Sequence, residues 1–148
     1  MTKQFTTTTW DRESVELITQ ILNNYDKKTL VKWATDCAEH VLPKFETKYP
    51  KDDRPRKAIA AGRAWLKGKI AVSEVRIAAF AAHDAARSAK DEDAIAAARS
   101  AGHAAATVHV AGHAIYASNY AVKAVGQDNI VKEREWQYRR LMKLAENK

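Results

Sequence analysis

The stretch Ile95-Ala96-Ala97-Ala98-Arg99-Ser100-Ala101-Gly102-His103-Ala104-Ala105-Ala106 lies inside a longer run, residues 58 to 124, that alanine dominates. Alanine loses no side-chain freedom in a helix and occupies little volume, so alanine stripes on several faces predict helices that approach one another closely. Nothing in the chain alternates polar and apolar residues long enough to make a strand. The fold is therefore predicted to be all-α: one helical bundle of about six helices with an alanine-rich centre.

Outward from this run, punctuation is sparse: Pro43, Pro50, Pro55, Gly62, Gly68, Gly102, Gly112 and Gly126. Between these marks apolar residues recur at helical spacing. Val15, Leu17, Ile18, Ile21 and Leu22 form one stripe of a helix from Asp11 to Asn24. Asp26 can cap the amides of Lys28 and Thr29 and open a second helix that carries Leu30, Trp33, Ala34, Cys37, Ala38, Val41 and Leu42 inward. Pro43 cannot donate to Glu39, so a kink or restart is predicted there before Phe45, Tyr49 and Pro50. Asp52 or Asp53 should cap a third helix over Pro55 to Lys67, with Pro55 in its first turn, Ile59 and Leu66 on one side and Trp65 off that stripe. After Gly68, Ser73 is the expected cap of a helix to about Ala89, with Glu74 near the positive end of its dipole. The pattern from Asp93 to Val125 exceeds an average helix and predicts one long helix or a break between Thr107 and Gly112. Gln127-Asp128-Asn129 opens a last helix through Ala145, with Val131, Tyr138, Leu141, Met142 and Ala145 as its inward stripe.

If the central helices form antiparallel hairpins, Gly62, Ala78 or Ala79, and Gly102 fall at similar heights, which predicts a tight crossing. The same register sets His83 opposite Ala98 or Arg99, away from His109 and His113. Ala-Gly-His-Ala occurs at 101 to 104 and again at 111 to 114. On one continuous helix its two histidines would point roughly 80° apart, so no tandem site is expected.

The chain has 148 residues, long enough for one buried core. Hydrophobic residues at 46%, charged at 29%, 5 Gly and 3 Pro exclude disordered and collagen-like chains. The lone Cys37 excludes an intramolecular disulfide and a zinc-thiolate cluster. Met1 to Trp10 lacks the cationic start and apolar run of a signal peptide, and charged residues or histidine interrupt every apolar stretch before it could span a membrane. Cytoplasmic location and no membrane partner are the expectations. A formal charge of +7 favours acidic partners.

Four of the five histidines, His83, His103, His109 and His113, lie in the alanine-rich half, with His40 on the second helix. His109 and His113 have a chelating spacing, but Val110 stands where a zincin carries glutamate. His83-Asp84 resembles the doublet of helical metal-dependent phosphohydrolases. A metal site built from His83, Asp84, His103, His109 and His113 is thus the alternative reading. The favoured one treats these imidazoles as core or groove residues bonded to neighbours, with no cofactor. Cys37 has His40 one turn away but sits among Trp33, Ala34, Ala38 and Val41, which predicts a buried, unreactive thiol.

Cationic residues cluster at Arg54, Arg56, Lys57 and Arg63 on the third helix and at Lys132, Arg134, Arg139, Arg140 and Lys143 on the last. Trp136, off the inward stripe beside Arg139 and Arg140, suits an anchor for a protein partner, a stacking platform for bases, or packing under the N-terminal segment. The charge allows nucleic acid, but no recognition-helix motif supports it.

The segment Trp33-Ala34-Thr35-Asp36-Cys37-Ala38-Glu39-His40-Val41-Leu42-Pro43-Lys44-Phe45-Glu46, with Tyr49-Pro50, Asp52-Asp53-Arg54-Pro55-Arg56-Lys57-Ala58-Ile59 and Ala64-Trp65, resembles a bacterial family of immunity proteins from polymorphic toxin systems. The likeness continues through Ala81-Ala82-His83 and Ala101-Gly102-His103-Ala104, and covers residues 27 to 125 of a single 1 to 148 domain. The N-terminal helix within 1 to 26 and the basic helix at 128 to 146 flank it. The resemblance implies an all-helical cytoplasmic protein that binds and neutralises a cognate toxin without catalysis. Arg54, Arg56, Trp65, Trp136 and Arg139 are the candidate partner-binding residues, and the alanine faces also allow an antiparallel homodimer.

Overall fold

The computed structural model describes residues 7 to 146, with side chains from residue 12 onward; the opening Met1 to Thr6 lies outside the described residues. Its helices are α1 (Thr7–Leu22), α2 (Lys27–Val41), α3 (Pro43–Glu46), α4 (Arg54–Leu66), α5 (Val72–Ser88), α6 (Glu92–Ala106), α7 (His113–Ala124) and α8 (Ile130–Glu146), the last preceded by a 3-10 turn at Gln127–Asn129. No strand occurs among the described residues. The expected bundle of about six helices is divided further, because Pro43 sets off α3 and the long alanine-rich stretch folds back between Thr107 and Gly112.

Local chemistry fixes most boundaries. Asp26 Oδ1 accepts the Thr29 amide at 2.8 Å and Asp91 Oδ2 accepts the Ala94 amide at 3.0 Å, each satisfying an otherwise orphaned donor. At α4, Asp52 Oδ1 accepts the Arg54 amide at 3.1 Å, while the Asp53 carboxylate reaches Lys57 Nζ at 3.1 Å. Ser73 is not the cap of α5. The helix starts earlier, at Ala71, because the Glu74 carboxylate reaches back to the Ala71 amide at 3.4 Å.

Helix α6 is the axis of the molecule and packs against α2, α3, α4, α5 and α7. Ala94, Ala97, Ala98, Ala101, Ala104 and Ala105 are fully buried, so the neighbouring backbones close directly onto it. Those faces of α6 are consumed inside the chain. The bulkiest side chains of the buried core include Trp33, Phe45, Ile18, Leu42 and Leu141.

The glycines do not share one crossing. A Cβ at Gly62 would lie 3.1 Å from Thr35 Cγ2 and 3.9 Å from Ala105 Cα, so Gly62 lets α4 approach α2 and α6. A Cβ at Gly102 would instead meet the ring of His83. At Gly102 the neighbour that reaches across from α5 is His83, rather than the expected Ala78 or Ala79.

Two predicted stripes also change. On α1 Leu17 is 48% exposed, whereas Ser14 is buried with Ile18 and Leu22. Helix α8 buries Glu133, Arg134, Gln137 and Leu141, and leaves Tyr138 at the surface with Val131, Met142 and Ala145 half-buried. A mostly polar stripe can face inward only if its groups are satisfied. Arg134 Nη1 donates to Gln137 Oε1 at 3.0 Å and Nη2 to Asn119 Oδ1 at 2.7 Å; Gln137 Nε2 donates to the Ser118 carbonyl at 2.9 Å. The indole of Trp33 donates to the Gln137 carbonyl at 2.9 Å, which locks α8 onto α2.

Candidate functional site

The five candidate partner-binding residues fall into two groups on separate helices. Arg54 grips Asp52 through two bonds, at 2.9 and 2.7 Å, and Arg56 grips Glu46 with its Nε at 2.7 Å from Oε2. These guanidinium groups hold the Asp52 and Glu46 carboxyls below the usual carboxylate range. Both arginines therefore brace the turn between α3 and α4. Trp65 is half-buried and packs against the core. On α8, Arg139 is the most open of the five at 81% exposure, with Glu135 3.9 Å away.

Between the groups lies Asp36 on α2. Its Oδ1 accepts from Arg63 Nη2 at 2.9 Å and its Oδ2 from Arg140 Nε at 2.8 Å, so one carboxylate ties α4 and α8 to the same turn of α2. Arg63 also bonds Glu39 at 2.7 and 3.2 Å and, through those bonds, lowers its pKa. Beside this network a groove of about 290 Å³ is bordered by Glu39, Arg56, Arg63, Lys67 and Lys69. Sequence reading assigned Arg63 and Arg140 to cationic clusters but missed the carboxylate that joins them.

The expected packing of Trp136 under the N-terminal segment falls on Met1 to Thr6, which lie outside the described residues. The Trp136 ring stacks on His40, with centroids 3.8 Å apart and planes 3° from parallel. The other edge of the imidazole is fixed by Glu133, whose Oε2 lies 2.7 Å from His40 Nδ1; Glu133 is nearly fully buried while His40 is 40% exposed. Cys37, one turn before His40, is wholly buried, and burial followed by the Glu133 charge pushes its thiol pKa well up, as an inert core thiol requires.

The remaining histidines come together, contrary to the divergence expected for His103 and His113. The fold-back at Thr107 to Gly112 turns α7 antiparallel to α6 and brings His103 Nδ1 within 2.9 Å of His113 Nδ1. His83 meets His103 edge to face at 4.9 Å, and His109 lies 6.1 Å from His113. Tyr120 stacks on the other side of His103 at 5.3 Å. At the predicted register, Arg99 Nη1 donates to His83 Nδ1 at 2.8 Å, which fixes His83 as an acceptor at that nitrogen. Burial, with Arg99 second, lowers the His83 pKa to about 4; burial and the flanking His83 and His113 lower that of His103 to about 4. Asp84 is turned away from the cluster and takes Arg87 instead. Among the described residues no group of three or more His, Cys, Asp or Glu side chains is placed to hold a metal ion.

Among the described residues, no helix is long and apolar enough to cross a membrane. No curated protein and no solved structure matches the chain. A family model does match, over residues 20–144, and so takes in the end of α1 and nearly all of α8 as well as the central helices. With its all-helical fold and a match over most of its length, the chain belongs to the family described as Imm-5 like putative immunity protein.

Proposed function

We propose that this chain is an immunity protein that binds and neutralises a cognate bacterial toxin in the cytoplasm by direct protein–protein contact, without catalysis of its own. The family match over residues 20–144 carries the reading. The architecture supports it: the polar stripe of α8 is satisfied internally, and the histidines are engaged with Arg99, Glu133, one another and neighbouring aromatic rings rather than arranged around a reacting atom. The net charge of +7 favours an acidic face on the toxin.

Within the candidate residues, Trp136 and Arg139 are the better contacts. Arg54 and Arg56 are committed to Asp52 and Glu46, so a partner would have to compete with bonds already made. An aromatic ring beside exposed arginine is the usual composition of an interface anchor.

The test is co-expression with candidate toxins from polymorphic toxin systems, followed by native purification, mass spectrometry and elemental analysis of one sample. Recovery of a toxin complex together with rescue of growth is expected. A chain that recovers no toxin and rescues no growth, or one that carries a stoichiometric transition metal and hydrolyses phosphoesters, overturns the reading.

A further inference from the structure

The contact between α2 and α8 opens beside the His40–Trp136 stack into a cavity of about 330 Å³. The helices run antiparallel here, since Trp33 meets Gln137 and His40 meets Glu133. Lys44, four residues after His40, and Lys132, four residues before Trp136, consequently fall at the same end of the cavity, and both line it. Neither lysine has a carboxylate within ion-pairing distance among the described residues, whereas several neighbouring cations, Arg56, Arg63 and Arg140, are paired. The one carboxylate in the wall, Glu133, is buried and already bonded to His40 Nδ1.

We propose that this cavity is the acceptor pocket for an acidic side chain, Asp or Glu, on a segment of the partner protein. The ligand carboxylate sits between the Lys44 and Lys132 ammonium groups and His40 Nε2, with the segment's apolar atoms against the Trp136 ring. Each part of the wall has a function in this arrangement. Glu133 holds the imidazole by Nδ1 and so fixes its orientation, leaving Nε2 as the nitrogen available to a ligand. With Nδ1 held by Glu133, a hydrogen bond from Nε2 to the incoming carboxylate forms when both ring nitrogens carry protons. Trp136 stacks on the face of this ring and helps to hold its orientation. Two unpaired ammonium groups then make the pocket select for negative charge, while its concave, partly apolar floor selects for a side chain rather than a diffuse anionic surface.

The inference takes the identity of the partner from the immunity reading, but the pocket can be tested without the toxin. In the full chain, the His40 ring nitrogens and the Trp136 indole N–H are followed by NMR during titration with a hexaglutamate peptide. A saturable shift confined to these two residues, weakened at least tenfold in the double variant Lys44→Glu/Lys132→Glu, is the expected result. Both substitutions are on exposed side chains, and the unchanged signals of Trp33 report that the fold is retained. Equal or tighter saturation by inorganic phosphate or a short oligothymidylate would assign the pocket to phosphate and overturn the proposal. Shifts spread over the cationic surface and unaffected by the double variant would overturn it as well. If the toxin binds wild type and the double variant alike, the pocket fails and the immunity reading stands. If no toxin binds at all, the immunity reading fails and the hexaglutamate titration still decides the pocket.

Discussion

The imidazole of His83 occupies the space in which a side chain at residue 102 would begin: a Cβ on Gly102 would lie 2.6 Å from His83 Nε2 and 2.7 Å from Cε1. Gly102 is required by a ring from the neighbouring helix rather than by backbone conformation, since it is not among the glycines with positive φ. Gly102→Ala must therefore push His83 away and disturb its 2.8 Å bond with Arg99. The expected loss is about 1–3 kcal/mol, with a leucine at the upper end. A double-mutant cycle in urea checks the cause: in a His83→Ala background the same Gly102→Ala change should be nearly neutral. An additive cycle would place the strain elsewhere.

The histidine cluster makes stability depend on acid. His83 and His103 have folded pKa values near 4 against 6.5 in an unperturbed chain, and burial also lowers that of His113. With folded values below unfolded ones, the unfolded chain binds more protons within this window. The associated stability is fully present above pH 6.5 and is lost as pH falls towards 4. Urea midpoints should fall across that interval, and His83→Gln/His103→Gln should flatten the fall. The acid loss that persists belongs in part to Glu39, Glu46 and Asp52, held low by Arg63, Arg56 and Arg54. A double variant with an unchanged slope would remove the cluster as its source.

Asp36 holds α4 and α8 to α2 through two arginines on its separate oxygens. Asp36→Asn keeps the shape and removes the charge, so both bonds weaken together. A loss of about 1–2 kcal/mol is expected, above an ordinary surface pair because the carboxylate is mostly buried and shared. Thermal melts of Asp36→Asn in wild type and in Arg63→Gln/Arg140→Gln measure the coupling. If Asp36 acts through these arginines, its substitution in the second background changes little.

What the sequence made legible was local. Asp26 and Pro43 act within a few residues of themselves, so the α2 cap and the α2–α3 break could be read directly, and the alanine run announced a close-packed centre. Contacts between distant residues stayed hidden. The fold-back before α7 was foreseen as one of two options, yet its consequence, His103 against His113, depends on the path of residues 107–112 and has no signature in spacing. Helix α8 misled most, because period-based reading assigns polar residues outward, while Glu133 and Arg134 face inward on partners supplied by His40 and by Ser118, Asn119 and Gln137. Trp136 was recognised as unusual, but its stacking partner lies on α2.

The buried polar stripe of α8 sets a direct question about stability. Arg134 is 1% exposed and divides its guanidinium between Gln137 Oε1 and Asn119 Oδ1, and the same Gln137 supplies the carbonyl that receives the Trp33 indole. Arg134→Met fills similar volume but removes the donor from the buried Gln137 Oε1 and from Asn119 Oδ1. It is expected to destabilise by on the order of 3 kcal/mol in urea unfolding, since a buried group left without its partner loses its desolvation energy uncompensated. Arg134→Lys should fall between wild type and methionine, because one ammonium cannot reproduce a planar fork that serves several acceptors at fixed angles. Met at full wild-type stability would mean that apolar packing replaces the network without loss, and that the polar stripe does not stabilise the docking of α8.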